Sequence, residues 1–255
     1  MKLTEIYKLV DKIAPFSISQ EYCEKYGAYD NSGILLDCGK EITCALFSLD
    51  CSMRAVEEAK MINAELIITH HPAIYTPLKE LTADNPVTEC AKAGISIISA
   101  HLNLDCAKGG IDDSLAEVLG AKKALRMHEL TKGGYGSVFE IEKLPLDEFV
   151  NRAKETLKTE RVLVYGDRPV QKIASFCGAG MDDETVAFAL SKDVDTFVSS
   201  DPKHHLVAEA VEKGLNVILF THYAAENYGF MQFYQKIKEK SPLARAEFFA
   251  DERLM

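Results

Sequence analysis

The 255-residue sequence contains no tryptophan, only eight prolines, and no pair of cysteines at C-x-x-C spacing. The missing spacing argues against a cysteine-based zinc knuckle. Seven cysteines, an odd number, stand at positions 23, 38, 44, 51, 90, 106 and 177. They are expected to be reduced thiols, packed mostly as small apolar side chains. No uncharged apolar run approaches the roughly 18 residues that a membrane span requires. The opening stretch, MKLTEIYKLVDKIAP, carries charges throughout and reads as an amphipathic helix, so the expected location is cytoplasmic. No G-x-x-x-x-G-K-[ST] and no G-x-S-x-G occur, which removes a P-loop and the nucleophile elbow of α/β-hydrolases. Gly178-Ala179-Gly180 lacks the further glycines of a dinucleotide fingerprint and reads as a tight turn. Positive charge is also short: Lys+Arg 29 against Asp+Glu 39 leaves a net charge of -10, which disfavours nucleic acid as a partner.

What remains is an ordinary globular composition, 47% hydrophobic and 27% charged, long enough to bury a substantial core. Apolar runs alternate with helical patterns. Helix-like spacing at Leu3, Ile6, Val10 and Ile13 stops at Pro15. Strand-like runs follow at Ile42–Leu49, Glu65–Thr69, Ile95–Ser99, Ser137–Ile141, Arg161–Tyr165, Lys172–Cys177, Thr196–Ser199 and Asn216–Phe220. Helices are expected between most of them, including 85–93, 112–119, 146–157, 182–190 and 203–213, with a long one through Tyr228, Met231 and Ile237. This alternation predicts an α/β protein with substantially parallel sheet. The Lys132-Gly133-Gly134-Tyr135-Gly136 segment is read as a loop and as the best internal boundary. The expected division is 1–126 with 220–255 as one α/β lobe and 127–219 as the other.

The histidines are unevenly placed. His70-His71 follows one strand, His101 another, with Asp105 shortly after, and His222 a third, with Glu226 four residues on. Open α/β sheets bind ligands beyond the carboxyl ends of their strands, so three strands deliver imidazoles and carboxylates to the same kind of edge. Adjacent residues of an extended segment diverge, so His70 and His71 suit two neighbouring ions rather than one. His222 and Glu226, at i and i+4, share a face if the helix begins near Thr221. His70, His71, Asp105, His222 and Glu226 are too many ligands for one open tetrahedral site and suit two ions about 3.5–4 Å apart. With no thiolate among them, Zn, Fe, Mn, Co and Ni are all compatible. Taken singly, each residue has a plainer role: a turn histidine, an Asx-turn aspartate, a helix-start glutamate. His128 lies outside every motif.

The chain resembles the Nif-three-like family, whose members are labelled GTP cyclohydrolase I type 2 homologues. The motifs that carry the resemblance are Ala14-Pro15, Tyr29-Asp30-Asn31-Ser32-Gly33, Ser48-Leu49-Asp50, Ile67-Ile68-Thr69-His70-His71-Pro72, Ala100-His101-Leu102-Asn103-Leu104-Asp105, Ser199–His205 and Thr221–Glu226. The resemblance implies a dinuclear metal centre on His70, His71, Asp105, His222 and Glu226, an α/β fold of two lobes with the metal site at the strand ends, and a ring of six chains. At this length the chain is similar to the short form, without the inserted middle domain. One departure stands out: the family's Gly-x-Gly-Arg turn is Gly134-Tyr135-Gly136-Ser137 here, without the arginine.

The expected activity is metal-dependent hydrolysis through metal-bound hydroxide, on a small molecule, with GTP implied by the family label. His101 is a candidate catalytic residue, as a proton donor or as a group supporting a metal ligand, and the Asp201–His205 group offers the same two roles. The competing expectation is a metal carrier, metallochaperone or regulatory scaffold without turnover.

Overall fold

A computed structural model describes residues 1–255. In chain order the elements are α1 (Leu3–Ile13), α2 (Phe16–Tyr26), β1 (Gly33–Leu36), β2 (Cys44–Ser48), α3 (Met53–Met61), β3 (Leu66–Thr69), α4 (Pro86–Ala93), β4 (Ser96–Ser99), α5 (Leu102–Asp105), α6 (Ile111–Val118) and β5 (Leu125–Leu130). They continue with β6 (Gly133–Leu144), α7 (Leu146–Leu157), β7 (Val162–Tyr165), β8 (Val170–Ser175), α8 (Asp183–Ser191), β9 (Thr196–Ser199), α9 (His204–Glu212), β10 (Asn216–Phe220), α10 (His222–Lys240) and β11 (Arg245–Phe249). No helix is long and apolar enough to cross a membrane, and all seven cysteines are thiols.

The chain forms two compact units, Met1–Ala107 with Phe230–Ala250, and Lys108–Gly229 with Asp251–Met255. The first is built on a five-stranded sheet in the order β1-β4-β3-β2-β11. β11, β2, β3 and β4 run parallel, and β1 is antiparallel to β4. Every residue of β2, β3 and β4 is buried, the pattern of parallel strands covered on both faces. Local signals set the helix ends. Asn85 accepts the backbone N–H groups of Val87 and Thr88 at the start of α4, Pro86 follows it, and Gly94 closes the helix in the left-handed region.

The second unit carries a six-stranded sheet, β5-β6-β8-β9-β10-β7. Only β8–β9 and β9–β10 are parallel pairs; β5–β6, β6–β8 and β10–β7 are antiparallel. The α/β class therefore holds for both units, with the parallel character concentrated in the first.

Two expectations change. The glycine-rich segment 133–136 is no boundary loop but the start of β6, paired with β5. Its glycines permit close approach: a Cβ on Gly134 would fall 2.6 Å from the His128 carbonyl oxygen, and one on Gly136, at φ +73°, would strike the Phe176 ring. Residues 108–126, 220–229 and 251–255 also group with the second unit rather than the first. The reason is pairing: β5 joins β6, and Asp112 on α6 binds Arg126 of β5, Ser137 of β6 and the backbone N–H of Cys177.

Candidate metal centre

In the first unit the parallel strands end at one edge and turn sharply. The backbone N–H groups of His70 and His71 both donate to the Leu49 carbonyl beyond β2, at 3.2 and 3.0 Å. Thr69 Oγ1 donates to the His71 carbonyl at 2.8 Å and lies 2.6 Å from Ser99 Oγ, which ties the end of β3 to the end of β4. The two imidazoles diverge, as adjacent extended residues must. His70 is fully buried, its Nδ1 2.8 Å from the Ala100 carbonyl and its Nε2 3.3 Å from Asp105 Oδ1. His71 turns the other way and places Nδ1 2.7 Å from Asp50 Oδ1.

His101 follows β4. Its backbone N–H donates to Ser32 Oγ at 3.0 Å, and its Nδ1 lies 2.8 Å from Asp30 Oδ1. The other Asp30 oxygen accepts from Ser19 and Ser32 hydroxyls at 2.5 and 2.6 Å. Burial alone would raise the Asp30 pKa, but the bonds from His101, Ser19 and Ser32 outweigh it and hold the carboxyl at about 2. One short helix turn, α5, carries Asp105 back toward His70, and Asn103 anchors that turn by donating to the Ala14 carbonyl at 2.7 Å. The Ala14-Pro15 motif thus serves as a carbonyl anchor. The rings of His70, His71 and His101 lie 4.9 to 5.9 Å apart, centroid to centroid.

The donor atoms of His70, His101 and Asp105 all lie within 4.8 Å of one another. Two imidazole nitrogens and a carboxylate oxygen at that spacing are a donor set suited to Zn, Fe, Mn, Co or Ni, so these residues fit a divalent ion. His101, expected as a catalytic or supporting residue, stands inside this group.

In the second unit His222 opens α10 immediately after β10. Its Nδ1 lies 2.6 Å from Asp201 Oδ2 and its Nε2 3.0 Å from Glu226 Oε2, one helical turn on. Glu226 is buried. Burial works against a charged His222 ring, but Glu226 and then Asp201 more than offset it, and the pKa is pushed up to about 9. Asp201 sits at φ 46°, in the left-handed region that aspartate tolerates better than most residues. Gly178 makes room for the glutamate: it has φ +63°, and a Cβ there would fall 2.7 Å from Glu226 Oε1. The Gly178-Ala179-Gly180 segment is therefore a tight turn, as its sequence suggested, with a steric duty toward Glu226. His205, expected alongside Asp201, is exposed on α9.

The turn lacking arginine also resolves. Ser137 Oγ meets Arg126, directly opposite on β5, whose guanidinium binds Asp112 at 2.6 Å and also pairs with Asp113. A guanidinium stands beside the turn, neutralised by two carboxylates. His128 is buried beside Tyr135, so it is a packed residue rather than a surface one. An apolar groove of about 750 Å³ around Leu144, Leu146, Val150 and Val164 contains none of the candidate residues.

Asp50, Asp30 and Gly178 were the residues that ligand spacing alone did not single out. Asp50 and Asp30 did lie in segments resembling family motifs, which was the available signal. Gly178 stood out only as part of a tight turn, since a steric clearance leaves no spacing pattern.

The fold and the cluster define a class: a two-unit α/β protein whose strand ends gather imidazoles and carboxylates. The family described as Duf34/NIF3 (NGG1p interacting factor 3) matches residues 1–252, and the chain belongs to it. A Clostridium perfringens relative named GTP cyclohydrolase 1 type 2 homolog is 32% identical over 251 residues, covering 94% of this chain and 92% of the relative. A Saccharomyces cerevisiae relative, NGG1-interacting factor 3, is 29% identical over 260 residues, covering 89% of this chain and 88% of its own. Among solved structures, reduced HcgD from Methanocaldococcus jannaschii superimposes with a TM-score of 0.83 at 26% identity, covering 97% of each chain.

Proposed function

We propose that the chain is a metal-dependent hydrolase that binds two divalent ions, with His70, His71, Asp105, His222 and Glu226 as the proposed ligands. The observation that carries the reading is the approach of His70, His101 and Asp105 to within 4.8 Å, with His71 beside them. When bound, the ions supply Lewis acidity and positive charge for an anionic substrate. The chain's residues do the rest. His101, with Nδ1 turned to Asp30, has Nε2 left to hold or accept a proton at the reacting group, the geometry of an oriented general acid–base. A nucleotide such as GTP is the proposed substrate class, supported by the name of the Clostridium perfringens relative. The working assembly is a closed homohexamer in the cytoplasm; closed symmetry is the usual form of soluble homo-oligomers.

Elemental analysis of the purified protein should find about two divalent ions per chain. Glu226→Ala should weaken retention of both. With the ions loaded, nucleotide hydrolysis should rise with pH across neutrality and fall by about 10²-fold or more in His101→Ala. Light scattering should give a mass near six chains. The second reading, a regulatory scaffold, is favoured by the interaction in the name of the yeast relative. Metal retention without turnover of any nucleotide or ester would replace the hydrolase reading with that one or with a metal carrier.

A further inference from the structure

Four imidazoles stand at strand ends, and each turns Nδ1 toward an oxygen that can only accept. For His71 it is Asp50 at 2.7 Å, for His101 Asp30 at 2.8 Å, for His222 Asp201 at 2.6 Å, and for His70 the Ala100 carbonyl at 2.8 Å. Carboxylates and carbonyls have no proton to give, so the proton between them sits on Nδ1; at His70 and His222 the Nε2 also faces a carboxylate, Asp105 at 3.3 Å and Glu226 at 3.0 Å, so there the Nδ1 contact alone does not fix the tautomer. Free histidine in water prefers the opposite tautomer, with the proton on Nε2.

The source of each acceptor follows one topological rule: it comes from the strand hydrogen-bonded beside the one that bears the histidine. His71 follows β3, and Asp50 follows its parallel neighbour β2. His70 also follows β3, and Ala100 follows β4 on the other side. His101 follows β4, and Asp30 precedes β1, whose antiparallel pairing of Gly33 with Ser99 brings its start to the edge where β4 ends. His222 follows β10, and Asp201 follows its parallel neighbour β9. The same arrangement therefore recurs in both units, although their sheets differ in order. Chance hydrogen bonding would not repeat one strand relationship four times.

We propose that Asp50, Asp30 and Asp201 are positioning residues, each accepting the Nδ1 proton of His71, His101 or His222 so that Nε2 is the nitrogen presented to the site, toward an ion at His71 and His222 and toward the reacting group at His101. His70 takes its Nδ1 acceptor from the backbone instead. The carboxylate partners fix ring orientation at His71, His101 and His222, as the main-chain carbonyl does at His70. The proposal rests on the metal-site reading for its purpose, but not for its geometry. Asp30 is the most elaborated of the three. Its two serine bonds fix the carboxylate before any ligand is present, and its side chain is 1% exposed.

The test has two independent readouts on the full-length protein. Long-range proton–nitrogen correlation spectra of metal-free, ¹⁵N-histidine-labelled protein, recorded where the rings are neutral, report which nitrogen holds the proton. His71 and His101 should both carry it on Nδ1. Asp50→Ala should shift His71 toward the Nε2–H form while His70 stays unchanged, whereas Asp50→Asn, which keeps an acceptor oxygen, should leave the His71 tautomer as it was. Asp30→Asn is the variant for the buried partner, since it retains volume and an acceptor. Calorimetric titration with Zn²⁺ should then rank affinity as wild type, Asp50→Asn, Asp50→Ala, with the last about 10–100-fold weaker. Asp201→Ala should weaken binding by a similar factor.

Wild-type spectra with the proton on Nε2 of His71 and His101 would overturn the proposal. So would an Asp50→Ala protein that keeps both the His71 tautomer and the Zn²⁺ affinity of the wild type. A wild-type protein that binds no divalent ion, yet shows Nδ1–H at both rings, would remove the metal reading and leave the positioning role standing.

Discussion

The two units position their candidate metal-binding residues by different means. In the first, His70, His71 and His101 follow the ends of adjacent parallel strands, the α5 turn returns Asp105 to them, and bonds across the ends of β2, β3 and β4 hold the cluster. In the second, His222 and Glu226 meet by helical periodicity alone, and the tertiary structure contributes Asp201 and the space above Gly178. A strand-end cluster depends on the whole sheet, whereas a helical pair depends on one turn and its clearance. Perturbing the first should therefore disturb folding, and perturbing the second should disturb mainly the local charge balance.

The largest effect is expected at His70. At a solvent-facing strand end, alanine would be harmless, but His70 is completely buried and bonded to Ala100. His70→Ala should cost about 2–4 kcal/mol in the metal-free protein, from the lost bond and the cavity left beside Asp105. Urea denaturation measures it; a loss below about 1 kcal/mol would mean that the edge relaxes around the gap. His71→Ala, at a half-exposed ring, should cost well under half as much by the same measurement.

Next is Gly178→Ala. A left-handed backbone penalty of about 1 kcal/mol adds to a contact that must push the Glu226 carboxylate aside. Thermal unfolding should register about 1–3 kcal/mol in total. An unchanged melting temperature would show that the turn after β8 shifts freely.

Two pH effects are smaller and opposite in sign. Asp30 has its pKa lowered from 3.8 to about 2, so it binds its proton less readily folded than unfolded. Its stabilising contribution is complete above the unfolded value and is lost as pH falls through about 2. Asp30→Asn should flatten the acid limb of the stability curve. His222 has its pKa raised from 6.5 to about 9, so in metal-free protein its contribution is complete below 6.5 and disappears as pH rises through about 9. The ring is partly exposed, so solvent screening keeps this effect the smallest. His222→Gln should remove the alkaline slope, and a slope that survives would assign it to another group.

The elements that were legible share a feature: their signal is local. The run Leu66-Ile67-Ile68 is continuously apolar, and 146–157 keeps its apolar residues on one face, so both stood out and both formed. α2 did not, because it buries only Ile18 and Ser19 and has a weak apolar face. β1 and β11 were also missed. They are the edge strands of the first sheet, with partly exposed residues that give no clean period. β5 buries only His128 fully and is held by its pairing with β6.

The sequence by itself determined the α/β alternation, the placement of histidines after β3, β4 and β10, and the i, i+4 pairing of His222 with Glu226, because each follows from periodicity along the chain. Only the tertiary structure decided that His70 is buried, that His101 joins His70 and Asp105, and that Asp50, Asp30 and Asp201 hold the rings. Those outcomes depend on which strands become neighbours. That choice is made by long-range pairing, such as β1 against β4 across more than sixty residues, and leaves no pattern in the local sequence.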